Sequence, residues 1–186
     1  MINHTTNDAL NHMDQFIGKL QKEDHRNLRL TRTFQWIMWG MSLLYAYVFI
    51  VRGWNENTIY RHVGWSLYVL AFLCFGFIFN YLKGFYQKVD YGIPTLAMLQ
   101  NVAKRYKLFQ LKIMLAIAPI LIIDAGMILV LYDPTAPETL MHTILISQAV
   151  LFPSVGIGLL IGIAIWRKRQ KPLRDAALKM IEELVK

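Results

Sequence analysis

Four stretches of this chain carry almost no charge and are long enough to cross a bilayer: 33–51, 63–82, 111–132 and 140–166. At about 1.5 Å rise per residue, even the shortest spans about 28 Å as a helix, close to the hydrocarbon thickness of a membrane. In lipid, every backbone N–H and C=O must find its partner within the structure, and a run of this length and composition does so as a helix. The expected fold is therefore all-α. It is an integral membrane four-helix bundle, with cytosolic amphipathic helices at both termini and between spans 2 and 3. The 55% hydrophobic content is high for an ordinary soluble domain and agrees with this reading.

The basic residues set an orientation. Lys19, Lys22, Arg26, Arg29 and Arg32 precede the first run; Lys83, Lys88, Lys104, Arg105 and Lys107 lie between the second and third; seven more follow Trp166. The other two connections hold only Arg52 and Arg61. An excess of Lys and Arg marks the cytosolic side, so both termini and the middle connection are expected there. This bias accounts for the net charge of +8 without a nucleic-acid partner. The single cysteine, Cys74, excludes an intramolecular disulfide and a multi-cysteine metal site. The first 32 residues are polar, and no cleavable leader is expected.

The domain plan follows. Residues 1–32 read as a cytosolic amphipathic helix, with Thr5 as cap and Asp8 three residues on. Leu10, Met13, Ile17 and Leu20 form its apolar stripe, which is expected to fail at the charged run 22–27. Residues 33–166 form the four-span domain, interrupted by a cytosolic helix at 94–110. That helix starts after the Tyr91-Gly92-Ile93-Pro94 break, where Gly92 can take unusual backbone angles, and carries Leu96, Leu99, Ala103 and Tyr106 in one stripe. It is expected to run unbroken into the third span as far as Tyr132, with a kink at Pro119. Arg167-Lys168-Arg169 should stop the last span, and Pro172 should open a tail helix within 167–186 whose stripe is Leu173, Ala177, Met180 and Leu184. None of these three helices can bury its stripe alone, so they are expected to pack together as a small head. Its partner-binding candidates are Leu10, Met13, Ile17, Leu173, Met180 and Leu184.

Asp124 is the one acidic residue inside an apolar run. An ionisable side chain in a span is costly and usually faces the bundle interior or a wet cavity. Gln148 lies at matching depth on the next span, beside Ser147, and Ser42, Tyr45 and Tyr68 stand near that level. Two readings stay open: an ion or proton site in a small oligomeric channel or transporter, and a hydrogen-bonding group that fixes helix packing. Ser154, Gly158 and Gly162, spaced four apart, would let another helix approach closely. Packing inside the monomer is the expected use, with a seam between copies as the alternative. His62 and His142 begin spans at one face, but interfacial histidines are ordinary and no cofactor is expected. No nucleophile elbow, zinc-protease helix or phosphate-binding loop occurs, so the chain is expected to be neither an enzyme nor a metal protein.

The amphipathic amino-terminal helix, the four spans, the Asp90-Tyr91-Gly92-Ile93-Pro94 break and the basic tail with Lys171-Pro172-Leu173 resemble small uncharacterised inner-membrane proteins of Bacteroidetes, some encoded beside sigma-factor genes. The resemblance implies inner-membrane localisation and a regulatory role without catalytic residues. The leading expectation is a non-enzymatic regulator or adaptor in the lipid bilayer, whose head binds a cytosolic protein.

Overall fold

The computed structural model describes residues 2–53, 59–87, 89–93, 95–108, 114–136 and 139–185, with side chains from Met13 to Val51 in the first of these and from Leu140 in the last. The side chains of Thr5, Asp8 and Leu10, residues 54–58, Pro94 and the start of the third apolar run lie outside the described residues, but the first helix already runs from Ile2, so it does not begin at Thr5 as expected. Within them the chain is helical. Helix α1 is Ile2–Gly53, α2 Ile59–Gln87, α3 Thr95–Arg105, α4 Ile117–Leu131, α5 Thr139–Ile165 and α6 Lys171–Val185, with a π-turn Trp166–Gln170 between the last two. Three helical stretches are long and apolar enough to cross a membrane: 13–51, 59–87 and 140–185. They leave their apolar side chains uncovered. None of the most apolar window of 140–185 is buried, and Leu43, Phe152 and Leu160 are 73%, 69% and 69% exposed. A soluble protein rarely shows such a surface, whereas a bilayer covers it.

Two expected helix ends do not occur. The charged run 22–27 was expected to end the first stripe, yet α1 passes through it without interruption. Charge does not remove backbone hydrogen bonds as a proline can, and no proline precedes Pro94. Glu23 and Arg26 pair one turn apart within the run. The helix that carries the last apolar run likewise continues through Arg167–Arg169. There the helix widens by one residue, and the Lys171 N–H reaches the carbonyl of Trp166, five residues back. Pro172 follows at once. Its ring would crowd the carbonyl four residues earlier in a regular helix, so the wider turn lets the helix continue past it.

One expected continuous helix is broken. α3 ends at Arg105, and Tyr106 to Leu108 form a turn and bend. α4 starts only at Ile117, which puts Pro119 in its first turn instead of at a kink. A proline there loses no hydrogen bond, because the first N–H groups of a helix have no partner within it. Gly92 is also conventional. Among the described residues no glycine has positive φ, and the Gly92 N–H is held by Asp90 Oδ1 at 2.8 Å.

The described contacts fall into two compact units. One comprises residues 1–30, 83–108 and 163–186; the other comprises 31–82 and 109–162. The first unit has the only continuous core of large apolar side chains among the described residues. Phe16 and Leu20 of α1, Met98, Leu99 and Val102 of α3, Tyr106 and Ala177 of α6 are buried together, with Met13, Ile17, Leu173 and Met180 packed against them. In the second unit the buried positions are small. Gly64 of α2 and Gly126 of α4 cross so closely that a Cβ on Gly64 would stand 2.9 Å from the Gly126 carbonyl oxygen. Gly76 of α2 accepts the Trp39 ring of α1 in the same way, at 3.1 Å.

Candidate functional site

In the first unit the central polar residue is Asp24, which the sequence hid inside the charged run. Residues 16, 20, 24 and 27 recur at helical spacing and are all buried, so the inward face of α1 continues through that run with polar residues in place of apolar ones. Asp24 is 4% exposed. Tyr91 Oη donates to its Oδ2 at 2.7 Å, Arg105 Nη1 to the same oxygen at 2.6 Å, and Tyr106 Oη to Oδ1 at 2.8 Å. Three donors from two other chain segments thus converge on one carboxylate and tie α1 to both ends of α3. Burial raises the Tyr91 and Tyr106 hydroxyls well above the ordinary tyrosine value of 10.0, and the adjacent Asp24 raises them further. The Tyr106 carbonyl, left over at the end of α3, accepts the Trp166 indole N–H at 2.8 Å and so ties in the π-turn.

Two grooves open on this unit. The first, about 720 Å³, lies between α1 and α6. Met13, Phe16, Ala176 and Met180 line it, with Lys19, Lys179 and Glu183 adding charge. Leu184 was expected to pack on helix neighbours. It lies at this groove and is 57% exposed, because α6 has passed the end of the packed stripe by that residue. The α3 stripe also differs from expectation: Leu96 is 40% exposed, and Met98 and Val102 take the buried places beside Leu99 and Tyr106. The second groove, about 700 Å³, is lined mainly by basic residues of α1 and the π-turn.

In the second unit Asp124 meets its neighbours on the next helix. Ser147 Oγ donates to Asp124 Oδ1 at 2.7 Å, and Gln148 Nε2 donates to Oδ1 at 3.0 Å and to Oδ2 at 2.8 Å. After α4, Asp133 Oδ1 accepts from the Thr135 N–H at 2.9 Å and from its hydroxyl at 2.7 Å. Those two bonds hold the Asp133 carboxyl below its ordinary value. Among the described residues, neither Ser42 nor Tyr45 hydrogen-bonds Asp124. Ser42 is buried at 4% exposure, and Tyr45 stacks on Tyr68 and Phe72 with ring centroids 5.1 and 5.0 Å apart. The expected polar layer therefore divides into a hydrogen-bonded trio and an aromatic stack.

Among the described residues, the small-residue stripe of the last span meets no other helix. A Cβ on Gly158 or Gly162 would meet nothing within 4 Å, and Ser154 donates to the Val150 carbonyl of its own helix. The buried small residues of α5 are Thr143 and Ser147, nearer its start. Among the described residues no three His, Cys, Asp or Glu side chains gather as a metal ion requires. His62 packs edge-on to Phe49 at 6.3 Å, and His142 is exposed. No family model, curated protein or solved structure matches this chain.

Proposed function

We propose that this chain is a non-enzymatic membrane regulator or adaptor whose helical head binds an amphipathic helix of a cytosolic protein. The observation that carries the reading is the open groove between α1 and α6. Methionine, phenylalanine and alanine side chains form its lining, lysine and glutamate stand with them, and Leu184 is left uncovered. Helical ligands dock in grooves of this kind through apolar anchors one turn apart, and methionine adapts its shape to them. The Asp124 trio supports packing over transport, since neutral donors from the neighbouring helix already occupy both carboxylate oxygens.

In this reading α4 belongs to the third of four spans of a cell inner membrane, and both termini and segment 94–110 face the cytosol. The basic asymmetry supports that orientation. A cysteine placed at position 56 should react with an impermeant thiol reagent in intact cells, while one at position 90 should not; the reverse pattern inverts the topology. The binding reading is tested by affinity purification in mild detergent, comparing wild type with Met180→Asp/Leu184→Asp. A stoichiometric soluble partner held by the wild type and lost from the variant is the expected result. A lone homo-oligomer in both would shift the function to the membrane spans.

A further inference from the structure

The second groove of the head is a separate feature from the apolar one, and the two share only Lys19. Its lining includes Lys19, Lys22, Arg26, Arg29, Lys168 and Arg169, with Glu23 as the one carboxylate. The positive-inside bias explains how many basic residues lie on one side of a membrane, but not why they share a cavity. Residues 19, 22, 26 and 29 follow one another at +3, +4 and +3, so they form a single stripe on α1. The π-turn then places Lys168 and Arg169 at the same cavity. Like charges gathered in this way repel unless an anion joins them. Glu23 offsets part of this by pairing with Arg26. Burial holds the Glu23 carboxyl above its ordinary value, and Arg169 opposes that rise. Arg26 is still incompletely satisfied: its Nε is buried and meets no hydrogen-bond partner among the described residues. A groove that gathers six cations around one carboxylate points to an anionic ligand that enters from outside.

We propose that this groove binds a phosphate-bearing anion. The oxygens of a phosphate suit a guanidinium N–H better than a single carboxylate does, and lysines around it supply charge without fixed geometry. The cavity of about 700 Å³ admits a whole headgroup. Along the sequence, Arg29 stands four residues before the first apolar run and Lys168 two after the last, which is where basic pockets meet anionic headgroups. An anionic phospholipid is therefore one source of the phosphate, and a soluble phosphate compound is the other.

The test uses the full chain in two arms. In the first, nanodiscs of phosphatidylcholine, alone or mixed with phosphatidylglycerol or cardiolipin, are followed by native mass spectrometry of the lipid retained. In the second, inorganic pyrophosphate is titrated onto the detergent-solubilised protein. Retention or binding should fall about tenfold or more in Arg26→Gln/Arg169→Gln, from the loss of two charges near the phosphate. It should change less than about twofold in Lys83→Gln/Lys104→Gln, which removes equal charge from the head at residues that line neither groove. Circular dichroism melts confirm folding, and Glu23→Gln, which removes the competing carboxylate, should tighten binding by about twofold to fivefold. A groove-dependent response in the first arm identifies lipid, and one in the second identifies a soluble phosphate. No binding in either arm, equal losses in both double variants, or weakened binding in Glu23→Gln would overturn the proposal.

Discussion

Replacing Asp24 with alanine should loosen the head of this protein while leaving the apolar helices in place. Asp24 and Arg105 pair at 2.6 Å with side chains only 5% and 11% exposed. Removing one partner of a buried ion pair strands the other, at a cost of about 3–5 kcal/mol. The Tyr91 and Tyr106 hydroxyls lose their acceptor in the same step. For a unit of this size, about 1 kcal/mol corresponds to 4–8 °C, so the melting point of the head should drop by about 12 °C or more. Asp24→Asn keeps one carbonyl oxygen as acceptor and loses the charge, which should cost about 1.5–3 kcal/mol. Hydrogen exchange read by mass spectrometry on the full chain in detergent resolves the effect by segment. Protection of 95–105 should fall most in Asp24→Ala, less in Asp24→Asn, and not in Asp14→Ala, because Asp14 is exposed. If Asp24→Ala leaves 95–105 as protected as Asp14→Ala does, the carboxylate is not what ties α1 to α3.

The same node should respond to alkali. Tyr91 and Tyr106 titrate above the ordinary value of 10.0 in the folded head, so the stability they contribute is complete below about pH 10 and lost as pH rises beyond it. Head melting followed from pH 8 to pH 11 should show that loss, and Tyr91→Phe/Tyr106→Phe should flatten it. In the second unit, Gly64→Ala should cost about 1–3 kcal/mol, since the new Cβ would press on the Gly126 carbonyl and the Val130 N–H, while Gly158→Ala should be neutral in a monomer. Detergent melts of both variants check this, and a loss at Gly158 alone would place a second copy on that face. Asp124→Asn should melt close to wild type, whereas Asp124→Leu, which strands Gln148 and Ser147, should lose about 1–3 kcal/mol; equal melts for all three would remove the packing role.

Much of this architecture was legible because it rests on local signals. Apolar runs mark their own lengths, and matching position in two successive apolar runs was enough to pair Asp124 with Gln148 and Ser147. What the sequence hid depends on partners. Asp24 and Asn27 look like surface in a charged run, because a buried polar residue shows itself only through the groups that satisfy it, and those lie more than sixty residues away in the case of Asp24. The charged run and Arg167–Arg169 suggested helix ends where there are none, since charge marks a membrane boundary without interrupting hydrogen bonding along the helix. The glycines also depend on context: Gly158 and Gly162 have the recognised spacing yet meet no other helix among the described residues, while Gly64 and Gly126 lie alone on separate helices and meet at close approach. Leu184 completes the spacing of its stripe but lies past the point where other helices can cover it.

The binding role of the head is tested most directly by photocrosslinking in living cells, with p-benzoylphenylalanine placed at position 184 in the apolar groove and, as control, at position 178, which is 42% exposed but does not line it. A single heavier product formed from position 184 and not from position 178, mapped by mass spectrometry to an amphipathic helix of a soluble protein, is the expected result. Crosslinks from position 184 only to lipid or to a second copy of this chain would contradict it.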